Sequence, residues 1–181
     1  MPPHVAFLRA VNLPRRTTPM AQVRRVLTEA GFAGVQTYIQ SGNVLVEGGA
    51  RESAEVASVA SEVLGRHFGF EVPVIVRRPP ALVEILAEVA AAPDPYPEGR
   101  SYLAFLDRPL GDAARASIDG WDVPQEWAQV LSGGDTVLYR LGVSAHEAKL
   151  TNARLEKGGV VSTSRDVRVV TEIARRWGTI S

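Results

Sequence analysis

Eight polar residues of the chain are candidates for holding a small anion: Arg9, Asn12, Tyr38, Gln40, Ser41, Asn43, Thr163 and Arg165. The two guanidiniums could fork onto a phosphate or carboxylate, while the amides and hydroxyls orient it. Arg9 interrupts the apolar run HVAFLRAVNL, where a charge is costly unless paired or solvated. Its structural alternative is a pair with Glu47 or with a group from the second half of the chain. Arg165 stands in Thr163-Ser164-Arg165-Asp166, read as the passage from a strand into the last helix. Ser164 or Asp166 suffices there as a cap, whereas an Arg in a first helical turn opposes the helix dipole unless an acid or anion is near. The middle residues lie in TYIQSGNVLVEG, residues 37–48, where Ser41-Gly42 reads as a two-residue hairpin loop.

Other chemistries lack their parts. His4, His67 and His146 are scattered, and His146-Glu147 has Leu150 where a zinc-protease helix needs its second His, so no metal site is assigned. With no Cys, thiol nucleophiles and cysteine metal sites are excluded. Gly48-Gly49 and Gly158-Gly159 lack the Lys of a phosphate loop, and Ser41 lacks the glycines of a nucleophile elbow. No catalytic set is assigned and no cofactor is expected.

The elements that must position these residues follow from periodicity. An apolar strand over 4–12 leads to a helix opened by Thr18 as cap with Pro19 at its first position. Strands at 35–40 and 43–47 flank the quoted turn, Ser53 caps a second helix, and 72–77 is a strand whose Pro73 suits a sheet edge. Pro79-Pro80 start a third helix, and the Pro-rich PDPYPEGR, residues 93–100, is a linker. Beyond it come a strand at 101–107, a helix at 111–118 and hairpin strands at 127–132 and 135–141. A helix from the Ser144/Glu147 capping box to Gly158, a strand at 160–161 and a last helix through Val167, Val170, Ile173 and Trp177 complete the chain. The order β-α-β-β-α-β-α occurs twice, so the fold class is α+β: two ferredoxin-like βαββαβ subdomains, 1–92 and 101–181, each followed by an extra helix.

Face assignments sharpen the site. With Gln40 opposite Asn43, residues Gln36, Tyr38, Gln40, Asn43, Leu45 and Glu47 share one side of the first sheet. Val35, Thr37, Ile39, Val44 and Val46 share the side the helices cover. Phe7 and Arg9 fall on the polar side, which must meet solvent, a ligand or the second half.

At FLRAVN, TYIQSGNV and the late TSRD the sequence resembles the bacterial family catalogued as domain of unknown function 1697. The resemblance spans nearly the whole chain, and TYIQSGN is its most specific part. It implies two ferredoxin-like halves and no activity, so no catalytic residue is carried over. Family members follow the first-strand Asn with a Gly-rich loop, whereas Asn12 here precedes Leu13-Pro14-Arg15-Arg16, from which backbone amides cradle a phosphate less readily. The family's late Arg-Asn-Trp is Arg165-Asp166-Val167 here, which removes the basis for a role of that Asn-Trp pair.

Composition sets the outer bounds. The 181 residues carry 20 basic and 20 acidic side chains, a balance that argues against a protein held on nucleic acid by phosphate charge. No apolar run reaches the roughly 18–20 residues of a membrane span, no secretory signal is read, and a cytoplasmic, membrane-free setting is expected. The leading expectation is a small-molecule or anion-binding protein with its site between the two halves. The alternatives are single-stranded RNA stacked on Phe7 and Tyr38, and a protein-interaction module using sheet edges or the helix around Trp177.

Overall fold

The computed structural model describes residues 3–9, 11 and 17–179. β1 (Pro3–Leu8) is buried at every position, as a near-continuous apolar strand requires. α1 (Met20–Glu29) buries Met20, Val23, Val26 and Leu27 as one stripe. β2 (Ala33–Tyr38) and β3 (Asn43–Glu47) form a hairpin, and α2 (Ser53–Phe68) buries Val56, Ala60 and Leu64. β4 (Val74–Arg77) and α3 (Pro79–Ala91) follow. The order then repeats as β5 (Arg100–Leu106), α4 (Asp112–Asp119), β6 (Glu126–Val130), β7 (Thr136–Leu141), α5 (Asn152–Glu156), β8 (Ser162–Asp166) and α6 (Val167–Trp177). Two ferredoxin-like βαββαβ halves, each followed by a helix, make up the fold.

Both sheets are antiparallel, with strand orders β2-β3-β1-β4 and β6-β7-β5-β8. Pro73 falls just ahead of the edge strand β4, where a missing N–H costs least. The duplication lies in register more than in residue identity. Phe7 faces Asn43 and Ile75, and Phe105 faces Thr136 and Thr163. Val5 faces Arg77 as Leu103 faces Arg165. Even the turn contact recurs: the Leu8 amide donates to Gly42 O, and the Leu106 amide to Asp135 O, both at 2.8 Å.

Contacts divide the chain into two compact units, Met1–Val83 with Ile173–Ser181, and Glu84–Glu172. In unit 1, Ala6, Leu8, Val44, Val46, Val74 and Val76 pack against Val23, Leu27, Val56, Ala60 and Leu64 of the two helices. On the opposite face Val5, Phe7, Leu45 and Ile75 are buried too. There the last turns of α6 lie, with Ile173 and Trp177 buried and the Arg176 guanidinium 4.6 Å from the Tyr38 ring centre. The face read as polar is therefore apolar at its centre, with its polar residues toward the ends and edges.

Unit 2 has the same two-sided build. Its helix-side core runs from Ala104, Val137 and Tyr139 to Ile118, Leu150 and Leu155. On the other side the end of α3 is held by polar clamps. Arg140 donates to Val89 O at 2.9 Å and Ser101 Oγ at 3.0 Å, and pairs with Asp94 at 3.1 Å. The Glu88 carboxylate accepts the Ser132 amide and hydroxyl at 2.9 and 2.7 Å. An Arg on terminal helix carbonyls both completes their hydrogen bonding and suits the dipole.

Four local expectations are corrected. Pro19, not Thr18, is the cap residue of α1, and Ser53 is the first helical residue after Glu52. The helix expected over 144–158 is an isolated turn followed by the five residues of α5. Of the Ser144–Glu147 box the Glu half forms, its carboxylate accepting the Ser144 hydroxyl at 2.6 Å and amide at 3.2 Å, which holds the Glu147 carboxyl below its ordinary pKa, while the Glu147 amide donates to Ser144 O. The helix stops because buried Glu126 takes the next amides, Lys149 N at 2.5 Å and Leu150 N at 2.9 Å, along with Trp121 Nε1 at 3.1 Å. Thr151 then caps α5 by accepting the Arg154 amide. Lastly, the strand expected at 160–161 is β8, 162–166.

Glu126→Ala leaves three donors without their acceptor. We expect a loss of about 2–4 kcal/mol in urea unfolding, with Glu126→Gln losing less because it keeps one acceptor oxygen.

Candidate functional site

The loop between β2 and β3 is four residues long, Ile39 to Gly42, because Tyr38 rather than Gln40 faces Asn43. Register moves by two residues from the expected pairing, so the face assignments survive: Gln36 faces Leu45, and Thr37 faces Val44. Ile39 leaves the core side and stands 46% exposed at the loop tip. Its φ is +51°, the left-handed region that a β-branched residue strongly disfavours. Gly42 is also left-handed, at +80°, and has no room for a side chain, since a Cβ would stand 2.8 Å from Val11 Cγ2 and 2.9 Å from Leu8 Cβ.

What imposes this shape is Asn43. It is fully buried, and its Nδ2 donates to Tyr38 O at 3.1 Å and Ser41 Oγ at 3.0 Å, tying the loop's two ends together. Asn43 and the Ser41 hydroxyl thus have a structural task, while Gln40 is exposed. Tyr38 is half-buried beneath Arg176, and Phe7 is fully buried, so neither ring is offered for stacking on a base. Trp177, on the helix named in the protein-interaction alternative, is buried as well.

Arg9 lies one residue past the end of β1, half-buried, with its amide donating to Pro73 O at 2.9 Å. It does not interrupt the strand, so the cost assigned to a charge in mid-strand does not arise. It stands at the strand end that also docks the turn, through Leu8 and Gly42. Asn12 and the following residues to Arg16 lie outside the described residues.

Thr163 and Arg165 belong to unit 2 and the other described candidates to unit 1. Both lie within β8, so Arg165 is a strand residue and not part of a first helical turn. Asp166 caps α6 by accepting the Arg168 amide at 2.8 Å, while Ser164 Oγ donates to Asn152 Oδ1 at 2.8 Å. The buried Arg165 guanidinium donates to Thr163 Oγ1 at 2.9 Å and to Ser164 O at 2.8 Å. Burial pushes its pKa down to about 10, which leaves it charged at neutral pH. Arg77, at the matching place in the first sheet, likewise donates to its preceding carbonyl, Val76 O, at 2.9 Å. An Arg at this point is a property of the repeated scaffold.

Two functional-looking groups escaped sequence reading, Arg140 with Asp94 and the triply bonded Glu126. Arg140 did carry a signal, a charge inside the apolar run TVLYRL, whereas Glu126 at a strand start carried none.

A family described as protein of unknown function (DUF1697) matches residues 1–139. The chain belongs to this family. The match covers the whole first sheet with its TYIQSGN loop, and the second sheet as far as β7. No curated protein matches the chain. Among solved structures, a conserved bacterial protein, SP0830 from Streptococcus pneumoniae, superposes with a TM-score of 0.71 at 19% identity. Each chain is covered over 98% of its length, and the likeness is one of fold. In this DUF1697 member no helix among the described residues is long and apolar enough to cross a membrane.

Ser164 also touches Tyr139, whose burial pushes the phenol up to about 12, with that hydrogen bond opposing the rise and Tyr102 adding to it. The folded pKa lies above the unfolded one, so this contribution is intact below pH 10 and is lost as pH climbs through 12. Two pH units correspond to roughly 3 kcal/mol at most. Subtracting Tyr139→Phe from wild type isolates it. The stability difference should fall steadily between pH 10 and 12, and tyrosinate absorbance should lose one late-titrating phenol in the variant.

Proposed function

We propose that the protein binds a small anion, a phosphate or carboxylate group of a cytoplasmic metabolite, at the 39–41 loop of unit 1 with Arg9 supplying the charge. The observation that carries the reading is the left-handed, exposed Ile39. A conformation costing about 1–2 kcal/mol is kept at a surface position where no packing gain repays it, and such strain gathers at ligand-binding loops.

Backbone signs support it. Ile39 and Gly42 have positive φ, and Gln40 and Ser41 between them do not. A change from positive to negative φ between neighbouring residues curls their amides toward one side, the basis of anion-binding nests. Such a nest needs a rigid frame more than a Gly-rich loop, and Asn43 with the Leu8–Gly42 bond provides one. Arg9, at the adjoining strand end, adds a fork of donors suited to both anion classes.

The test is calorimetric titration and thermal shift with inorganic phosphate and with citrate. At least one should bind, and Arg9→Ala should weaken it ten- to a hundredfold, the loss of one charge-assisted contact of about 1.5–3 kcal/mol. Ile39→Gly should raise stability by about 1 kcal/mol yet weaken binding, because a looser loop must be ordered by the ligand. If neither anion shifts the melting temperature, or if Arg9→Ala binds as wild type does, the reading is wrong.

A further inference from the structure

Unit 2 carries a cleft of about 400 Å³ between α4 and α5, well away in sequence from the loop discussed above. That volume lies within the range, about 300–1,000 Å³, typical of small-molecule pockets. Its floor is apolar, formed by the buried side chains of Leu110, Ile118 and Leu155. Its only charged lining residues are Arg154 and Lys157, both exposed and both positive.

These two cations differ from four arginines in and beside the other helices. Arg25, Arg51, Arg66 and Arg115 each pair with an acid four residues away, Glu29, Glu55, Glu62 and Asp119 respectively. The positions four residues from Arg154 are Leu150 and Gly158, and those from Lys157 are Ala153 and Val161. Among the described residues neither cation makes an ion pair. Three residues apart around the end of α5, they share one side of it. Arg154 is also held in place, its guanidinium 5.5 Å from the centre of the Trp121 ring. In a chain of zero net charge, two uncompensated cations therefore edge an apolar hollow.

We infer that the α4–α5 cleft binds a small amphipathic carboxylate, its apolar body on Leu110, Ile118 and Leu155 and its carboxylate on Arg154 and Lys157. Apolar burial supplies the affinity and the cations select for charge. A ligand of this kind needs both ends. Inorganic phosphate has no apolar body, and an alcohol of equal length has no charge.

Titration of the full chain with octanoate and with octanol tests this, using calorimetry. Octanoate should bind, and octanol at least about tenfold more weakly. The double variant Arg154→Gln/Lys157→Gln, at exposed positions, should lose at least tenfold for octanoate while keeping its melting temperature. Ala113→Trp, also exposed at the cleft, should abolish binding by filling it. Arg9→Ala should leave octanoate binding unchanged, which separates this site from the proposed loop site. Absence of octanoate binding, equal binding of octanol, or full affinity in either cleft variant would overturn the inference.

Discussion

A four-stranded sheet whose central strand is apolar on both faces cannot be covered by the two helices of its own βαββαβ unit. This constraint governs the architecture. α1 and α2 bury one side of the first sheet, yet Val5, Phe7, Leu45 and Ile75 on the other side are no less apolar. Each such side chain is worth roughly 1.5–3 kcal/mol when withdrawn from water. A third helix is needed for each sheet. The first unit receives the end of α6, and the second receives most of α3. Polar residues on these faces then serve as fastenings: Arg176 over Tyr38, and Arg140 on the carbonyl end of α3.

The duplicated scaffold separates what is structural from what is particular to one half. Phe7 and Phe105, and Arg77 and Arg165, take matching places in the two ladders, so their roles belong to the framework. The hairpin loops do not match. The first holds a strained Ile39 tied down by Asn43, while at the place of Asn43 the second has Thr136. The cleft between α4 and α5 lies in the second half.

Much of this was legible in the amino-acid sequence, because strand alternation and helical spacing are local. Element order, the repeat and the two faces of the first hairpin followed from them. Legibility ended where distant residues decide. Parity fixes which face a side chain takes, but pairings two residues apart share that parity, so the loop length was misjudged. A capping box announces a turn, and only Glu126, more than twenty residues away, stops it from continuing as a helix. Arg165 read as anomalous under the wrong element. In β8 it is a buried strand residue bonded to Thr163. Ile39 gave no signal at all, since strain at an exposed aliphatic residue exists only in three dimensions.

The most direct test of the two-sided sheet is hydrogen–deuterium exchange on Trp177→Ser, read strand by strand. Removing the large apolar side chain at the end of α6 should loosen the helix from the Phe7 face. β1 and β3 should then exchange markedly faster, while β5 and β7 in the other unit keep their protection. Unchanged protection of β1 and β3 would mean that the last helix does not complete the first unit, and the account of its fold would fall.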